Sequence, residues 1–211
     1  MYIPESFRVA DHTLAFSFIE RYDFATLITS TSSGDMLVTH LPLFLQRSGD
    51  RAVLLGHVAC ANEHWRHFDG STSSLAIFRG PHGYVSPNWY RTKPAVPTWN
   101  YAVVHAYGCP RAVEDRHRTA AILEYLVGKY EGHRARPWDL HELPPDYYEH
   151  MLQQIVGFEM PIDKIESKFK IGQNRSTTDR EATVIGLVEE GTPDSAALAA
   201  FMEGYARESG H

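Results

Sequence analysis

Two stretches of this 211-residue chain carry the kinds of groups that hold an anion. The first sets Thr39-His40-Leu41-Pro42 beside Gly56-His57-Val58-Ala59-Cys60-Ala61-Asn62, on runs that read as adjacent strands. Together they offer a hydroxyl, two imidazoles and a carboxamide. A short helix starting near Asn62 would add free backbone N–H groups at its first turn. The second stretch is Ser167-Lys168-Phe169-Lys170-Ile171-Gly172-Gln173-Asn174-Arg175. Three cations there stand beside two carboxamides, a donor set suited to a phosphate. The plain alternatives are ordinary sheet polarity for the first and a solvated loop after the last strand for the second. Other chemistry is poorly represented. There is no GxSxG nucleophile elbow, no GxxxxGK[ST] loop and no glycine-rich dinucleotide fingerprint. Of twelve histidines, His64 and His67 sit three apart, but no HExxH or cysteine partner accompanies them, so no metal site is expected. His117, His133, His141 and His150 read as solvated surface residues.

A long strand must position such groups. Val96 to Pro110 runs between Pro97 and the Gly108/Pro110 punctuation. Trp99, Tyr101, Val103, His105 and Tyr107 alternate onto one face; Thr98, Asn100, Ala102, Val104 and Ala106 fall on the other. One face is aromatic, the other small with two hydrogen-bonding groups. That asymmetry suits a second subunit or a flat ligand, though an ordinary buried barrel strand would read the same way.

The remaining elements follow from punctuation and periodicity. Asp11 caps a predicted helix from His12 to Tyr22. Phe24–Thr31 and Met36–Leu45 form a predicted hairpin about Ser-Ser-Gly-Asp, the second strand interrupted by Pro42. Ser48-Gly49-Asp50 is a turn before a strand at Arg51–Val58. A short helix is expected over Glu63–Phe68 and a strand over Ser74–Arg79. Gly80–Pro94 reads as an irregular, aromatic-rich loop. Glu114 or Asp115 caps a helix to Tyr130, and a loop from Arg134 leads to a helix at Pro145–Gln154. Ile155–Ile165 reads as a single last strand. Two outer helices are expected at Thr177–Glu190 and Asp194–Ala206, the second capped by Asp194. Short strands joined by Gly/Ser/Asp turns favour an antiparallel sheet or barrel over βαβ units.

Composition narrows the function classes. A hydrophobic fraction of 43% supports one sizeable core, and 22% charge, well dispersed, fits a folded chain. The formal net charge is −6, whereas a domain gripping nucleic acid through phosphates is normally basic. The cations cluster only at Arg111–Arg118, Arg134–Arg136 and 168–175. Two cysteines without CxxC spacing fit a reducing, cytoplasmic setting. No apolar run approaches the roughly 18 residues of a membrane span, and no signal peptide is evident.

Read together, M-Y-I-P at the start, T-H-L-P-L at 39–43, G-H-V-A-x-A-N-x-x-W at 56–65, F-x-G-P-H-G-Y-V-S-P-N-W-Y at 78–90, V-P-T-W-N-Y-x-x-V-H-A-Y-G at 96–108, V-G-F-E at 156–159 and K-F-K-I-G-Q-N-R at 168–175 resemble the PaiB family. These bacterial proteins are described as FMN-binding negative regulators of protease synthesis and sporulation. The resemblance implies a mainly β fold with flanking helices: a six-stranded antiparallel split β-barrel like the flavin reductases and pyridoxamine-phosphate oxidases, homodimeric, with FMN in the dimer groove. Residues 1–175 would be the FMN-binding domain and 176–211 a helical extension packed on it. In that wider group Arg or Lys near the turn matching 57–62 grips the flavin phosphate. Here Cys60-Ala61-Asn62 stands instead, so the charge falls to Lys168, Lys170 or Arg175. Implied flavin contacts are Thr39, His40, Leu41, His57, Ala61, Asn62, Thr98, Trp99, Asn100, Lys168, Lys170, Gln173, Asn174 and Arg175, with an indole or Tyr ring stacked on the isoalloxazine. Three roles follow: a dimeric FMN-binding regulator, a flavin-dependent oxidoreductase with a nicotinamide or small-molecule substrate and His82 or His105 as proton donor, or a repressor that binds DNA directly.

Overall fold

The computed structural model describes residues 1–49 and 51–209. Its helices are α1 (His12–Arg21), α2 (Arg116–Glu131), α3 (Pro145–Leu152), α4 (Thr177–Glu190) and α5 (Pro193–Ser209). Its strands are β1 (Phe24–Ser30), β2 (Met36–Pro42), β3 (Phe44–Ser48), β4 (Arg51–Ala59), β5 (Ser74–Val85), β6 (Thr98–Gly108), β7 (Arg111–Ala112), β8 (Ile155–Pro161) and β9 (Lys164–Lys170). One sheet orders β2-β1-β5-β6-β9 and the other β3-β4-β8-β7. The architecture is thus mainly β with flanking helices, as expected.

The described residues hold nine strands where six were expected. Two expected strands are each broken at a proline. The run 36–45 divides at Pro42, which has no N–H for a ladder, and Leu43 then donates its N–H to Asp23 O at 2.9 Å. The run 155–165 divides after Pro161, where Ile162 and Asp163 turn their N–H groups to Ala52 O and Tyr107 O. The two-residue β7 is too short to show as a pattern. β5 also outruns its expected end, continuing through Gly80, Pro81 and Gly83 to Val85. The expected turn at 48–50 reaches Asp50, which lies outside the described residues.

The chain folds as two compact units. One comprises Ile19–Phe78 and His105–Ile165. Its β1–β2 hairpin pairs Phe24 with Pro42 through to Ser30 with Met36, closed by Gly34 at φ +90°. A core of Phe44, Leu55, Ile122 and Leu126 joins β3, β4 and α2. Each such side chain contributes about 1.5–3 kcal/mol on burial. Asp115 caps α2 by accepting the N–H of His117 at 2.9 Å. At Gly108 a Cβ would lie 2.0 Å from Pro161 O, so only glycine lets β6 end there.

The other unit comprises Met1–Phe18, Arg79–Val104 and Glu166–His211. Phe169 on β9 packs against Phe18 (5.1 Å between centroids) and Phe201 (5.3 Å), with Leu187, Leu198 and Met202 buried on α4 and α5. Ser176 caps α4. Thr192, rather than Asp194, caps α5: its hydroxyl accepts Ser195 N at 3.1 Å, and Asp194 falls within the first turn. At Gly186 a Cβ would lie 2.3 Å from the Trp89 indole, so the helix face is bare where that ring lies on it.

Candidate functional site

The expected site residues divide between the two units. In the unit of 19–78 and 105–165, the central object is a buried hydroxyl–imidazole chain. His64, only 2% exposed, stands on a short 3₁₀ turn (Glu63–His67). Its Nδ1 is 2.8 Å from Thr39 Oγ1 on β2, and its Nε2 is 2.7 Å from Thr29 Oγ1 on β1. Thr29 Oγ1 in turn lies 2.6 Å from Ser74 Oγ at the start of β5. Asn62 is oriented by its own backbone contacts. Its Oδ1 accepts the N–H of His64 at 3.1 Å, so its Nδ2 donates to Thr39 Oγ1 at 3.1 Å. Burial holds the His64 imidazole below its ordinary pKa of 6.5, helped by the neighbouring His67.

The turn after β4 differs from expectation. The predicted helix at Glu63–Phe68 is a single 3₁₀ turn, and Asn62 already caps it, so it supplies no anion site of the kind a longer helix provides. Thr39 and Asn62 meet, as expected. His40, one residue along β2, points to the opposite face, is exposed and bonds Thr26 Oγ1 at 3.0 Å across the hairpin. Leu41 is 4% exposed and belongs to the core. Ala61 is exposed beside the exposed Cys60. His57 on β4 is half-buried, its Nδ1 enclosed without a hydrogen-bond partner, and burial lowers its pKa.

In the other unit the site is built of cations and rings. The aromatic side of β6 is the open one: Trp99 is 56% exposed, whereas Asn100 is 2% exposed with its Nδ2 3.8 Å from Met202 Sδ. The His82 ring lies 6.4 Å from the Trp99 indole at 22°, and Tyr84 meets it edge-on at 6.2 Å. Lys168 and Lys170 are not loop residues; they end β9. Lys168 is 7% exposed, donates to Tyr2 O at 3.1 Å and lies 5.2 Å from the Tyr101 ring centroid. Lys170 donates to Thr98 Oγ1 at 2.6 Å and to Trp99 O. Arg175 lies over Tyr90 at 4.4 Å.

No member of this trio forms an ion pair among the described residues. The Lys170 ammonium is pushed below its usual pKa, first by burial and then by Lys168 and Arg175. Gln173 spends its amide locally, accepting Ile171 N at 2.9 Å and donating to Phe169 O, while Asn174 is exposed. Asp179 on α4 anchors the aromatic loop by accepting the N–H groups of Arg91 and Thr92 at 2.7 and 3.0 Å, and those bonds, with the nearby Arg175 charge, lower its pKa. In the same unit a pocket of about 460 Å³ is lined by Ile171, Gln173, Arg180, Val184, Met202 and Tyr205.

Sequence reasoning missed two groups. In the sequence His64 reads only as half of a metal pair; the available signal is Asn62 two residues before it, an Asx cap that fixes the turn. Tyr101 stands on the expected aromatic face and Tyr90 in the aromatic-rich loop, but their contacts with Lys168 and Arg175, and the role of Asp179, come from segments distant in sequence. Among the described residues no cluster of three or more His, Cys, Asp or Glu is arranged for a metal, and no helix is long and apolar enough to cross a membrane.

Residues 1–164 match the family model described as "Putative FMN-binding domain". The chain is also 37% identical over 205 residues, 96% of its length and 97% of the relative's, to Protease synthase and sporulation protein PAI 2 of Bacillus subtilis (strain 168). The chain therefore belongs to the PaiB family of FMN-binding domains, and FMN is the cofactor that membership assigns. The fold agrees with two solved structures: flavocytochrome Anf3 of Azotobacter vinelandii (TM-score 0.60, 16% identity, 79% of this chain and 70% of that one) and a FAD and heme binding protein of Mycobacterium smegmatis (TM-score 0.57, 13% identity, 83% and 78%). The split-barrel fold is that of flavin-binding proteins. The residues present suit such a group: unpaired cations for a phosphate, an exposed indole for a flat ring, and an enclosed imidazole nitrogen without a partner.

Proposed function

We propose that this protein is a dimeric FMN-binding regulatory protein. In one unit Lys168, Lys170 and Arg175 supply charge for a phosphate and Trp99 a ring surface; in the other, taken by itself, Thr39, His57 and Asn62 are candidate polar contacts to the flavin. The observation that carries this reading is the cation trio. Burial and then the charges of Lys168 and Arg175 push the Lys170 ammonium below its usual pKa, and none of the three forms an ion pair among the described residues. A bound phosphate dianion relieves that repulsion and forms charge-assisted hydrogen bonds. The family match supports an FMN-binding domain over residues 1–164, and our reading extends that domain to 175 with 176–211 as a helical extension.

A regulatory role is supported by the name of the Bacillus relative, a protease synthase and sporulation protein. The net charge of −6 favours regulation through a bound small molecule over a direct grip on DNA. A homodimer is favoured by the open face of the β1–β2 hairpin, where Phe24, Met36 and Val38 are 67%, 61% and 53% exposed. A second reading, flavin-dependent oxidoreduction, is favoured by one contact: His82 lies beside the exposed Trp99, so an imidazole stands near the ring surface as a proton donor.

Calorimetric titration of the apo-protein with FMN and with riboflavin tests the assignment. FMN is expected to bind more tightly than riboflavin, and Lys170→Ala and Arg175→Ala to erase the difference. Equal affinity for both ligands in the unsubstituted protein would remove the phosphate site. Catalytic turnover of NAD(P)H with an acceptor would favour the oxidoreductase, and a promoter-specific shift at physiological salt the DNA-binding repressor.

A further inference from the structure

The hydroxyl–imidazole chain through His64 has a property that follows from counting its protons. His64 is buried and neutral, so one ring nitrogen donates and the other accepts. The Asn62 amide is fixed, with Nδ2–H always donating to Thr39 Oγ1. Two arrangements satisfy every remaining distance. In the first, Nε2 carries the proton and donates to Thr29, whose hydroxyl donates to Ser74; the Thr39 hydroxyl then donates inward to Nδ1. In the second, Nδ1 carries the proton and donates to Thr39; the Thr29 hydroxyl donates to Nε2, and Ser74 donates to Thr29. Each group keeps its single proton and the net charge is the same in both. The states differ in the imidazole tautomer and the rotation of three hydroxyls.

Thr39 is where the difference reaches the surface. It is half-buried on β2, whereas His64, Thr29 and Ser74 are 2% exposed or less. In the first arrangement its proton is spent inward and it presents only a lone pair. In the second its oxygen accepts from both Asn62 and His64, which leaves its O–H free to turn outward as a donor. We infer that His64 is a positioning residue whose tautomer sets whether Thr39 meets a ligand as acceptor or as donor, and that an oxygen acceptor of bound FMN selects the Nδ1–H form. This rests on the reading of Thr39 as a flavin contact. The acceptor is either a phosphate oxygen or a ring carbonyl; both demand a donor from Thr39.

The test is nitrogen-15 NMR of the histidine-labelled full chain, with His64 assigned by its loss in His64→Gln. FMN, riboflavin and inorganic phosphate are titrated in turn, while FMN fluorescence reports binding independently. Binding of FMN is expected to shift His64 toward a protonated Nδ1 and an unprotonated Nε2. The same change with riboflavin places the acceptor on the ring; the same change with inorganic phosphate alone places it on the phosphate. Thr39→Val, close in shape to threonine, is expected to abolish the tautomer response and to weaken FMN about tenfold, while Thr39→Ser keeps both. FMN binding with an unmoved His64 tautomer, or Thr39→Val at full affinity, overturns the relay and leaves the cofactor reading intact. Absence of FMN binding overturns both.

Discussion

The two candidate clusters, one in each unit, solve the burial of polar groups in opposite ways. Around His64 the polar side chains bond one another as neutral groups: Thr39, Thr29, Ser74 and Asn62 form a chain with it at 2.6–3.1 Å. Around Lys170 no ion pair forms among the described residues, the Asp179 carboxylate acting on Arg175 only through its field, and the cations are cushioned by Tyr101, Tyr90 and backbone carbonyls. The first arrangement is complete without a ligand and can only modulate one. The second is short of negative charge and gains from an anion. On the proposed reading, affinity for FMN falls to the cationic cluster and positioning to the histidine cluster.

The sharpest way to break this comparison is to remove charge from the needy side. Lys170→Ala is expected to weaken FMN by about 10- to 100-fold, the range of a charge-assisted hydrogen bond, while leaving riboflavin nearly unchanged in the same titration. Next in size is His64→Leu, which strands the Thr29 and Thr39 hydroxyls; a loss of about 1–3 kcal/mol is expected in urea unfolding, larger than that of Lys170→Ala.

A pH series separates the clusters further. Burial depresses both His57 and His64 below 6.5, so the fold prefers their neutral forms. The unfolded chain takes up protons first as pH falls, and stability is therefore expected to drop from about pH 6.5 downward, until the folded-state histidines titrate as well. Melting temperatures between pH 7.5 and 5 report the slope, which His57→Phe should flatten in part. The smallest expected effect is Arg175→Lys: it keeps the charge but gives up the planar contact with Tyr90, costing FMN affinity about 0.5–1 kcal/mol. An Arg175→Lys loss as large as that of Lys170→Ala would move the main phosphate contact to Arg175. Separately, Val38→Glu on the open hairpin face is expected to convert the proposed dimer to a monomer in sedimentation, since a charge there resists burial.

Much of this was legible in the chain itself. Strand alternation placed Trp99 and Asn100 on opposite faces of β6, and Asp11 and Asp115 announced their helices. The clustering of Lys168, Lys170 and Arg175 was visible as spacing alone, and the motif blocks carried the family. These features are local: they depend on neighbours within a few residues, where periodicity and capping act. Tertiary structure decided the rest. Whether Pro42 and Pro161 bend a strand or end it depends on which distant carbonyl takes the next N–H. Whether His64 binds a metal, faces solvent or links three hydroxyls depends on β1, β2 and β5 meeting around it, from segments up to 35 residues away. And whether a lysine cluster is solvated or charge-starved depends on whether any acid folds back to meet it, which spacing along a chain does not fix.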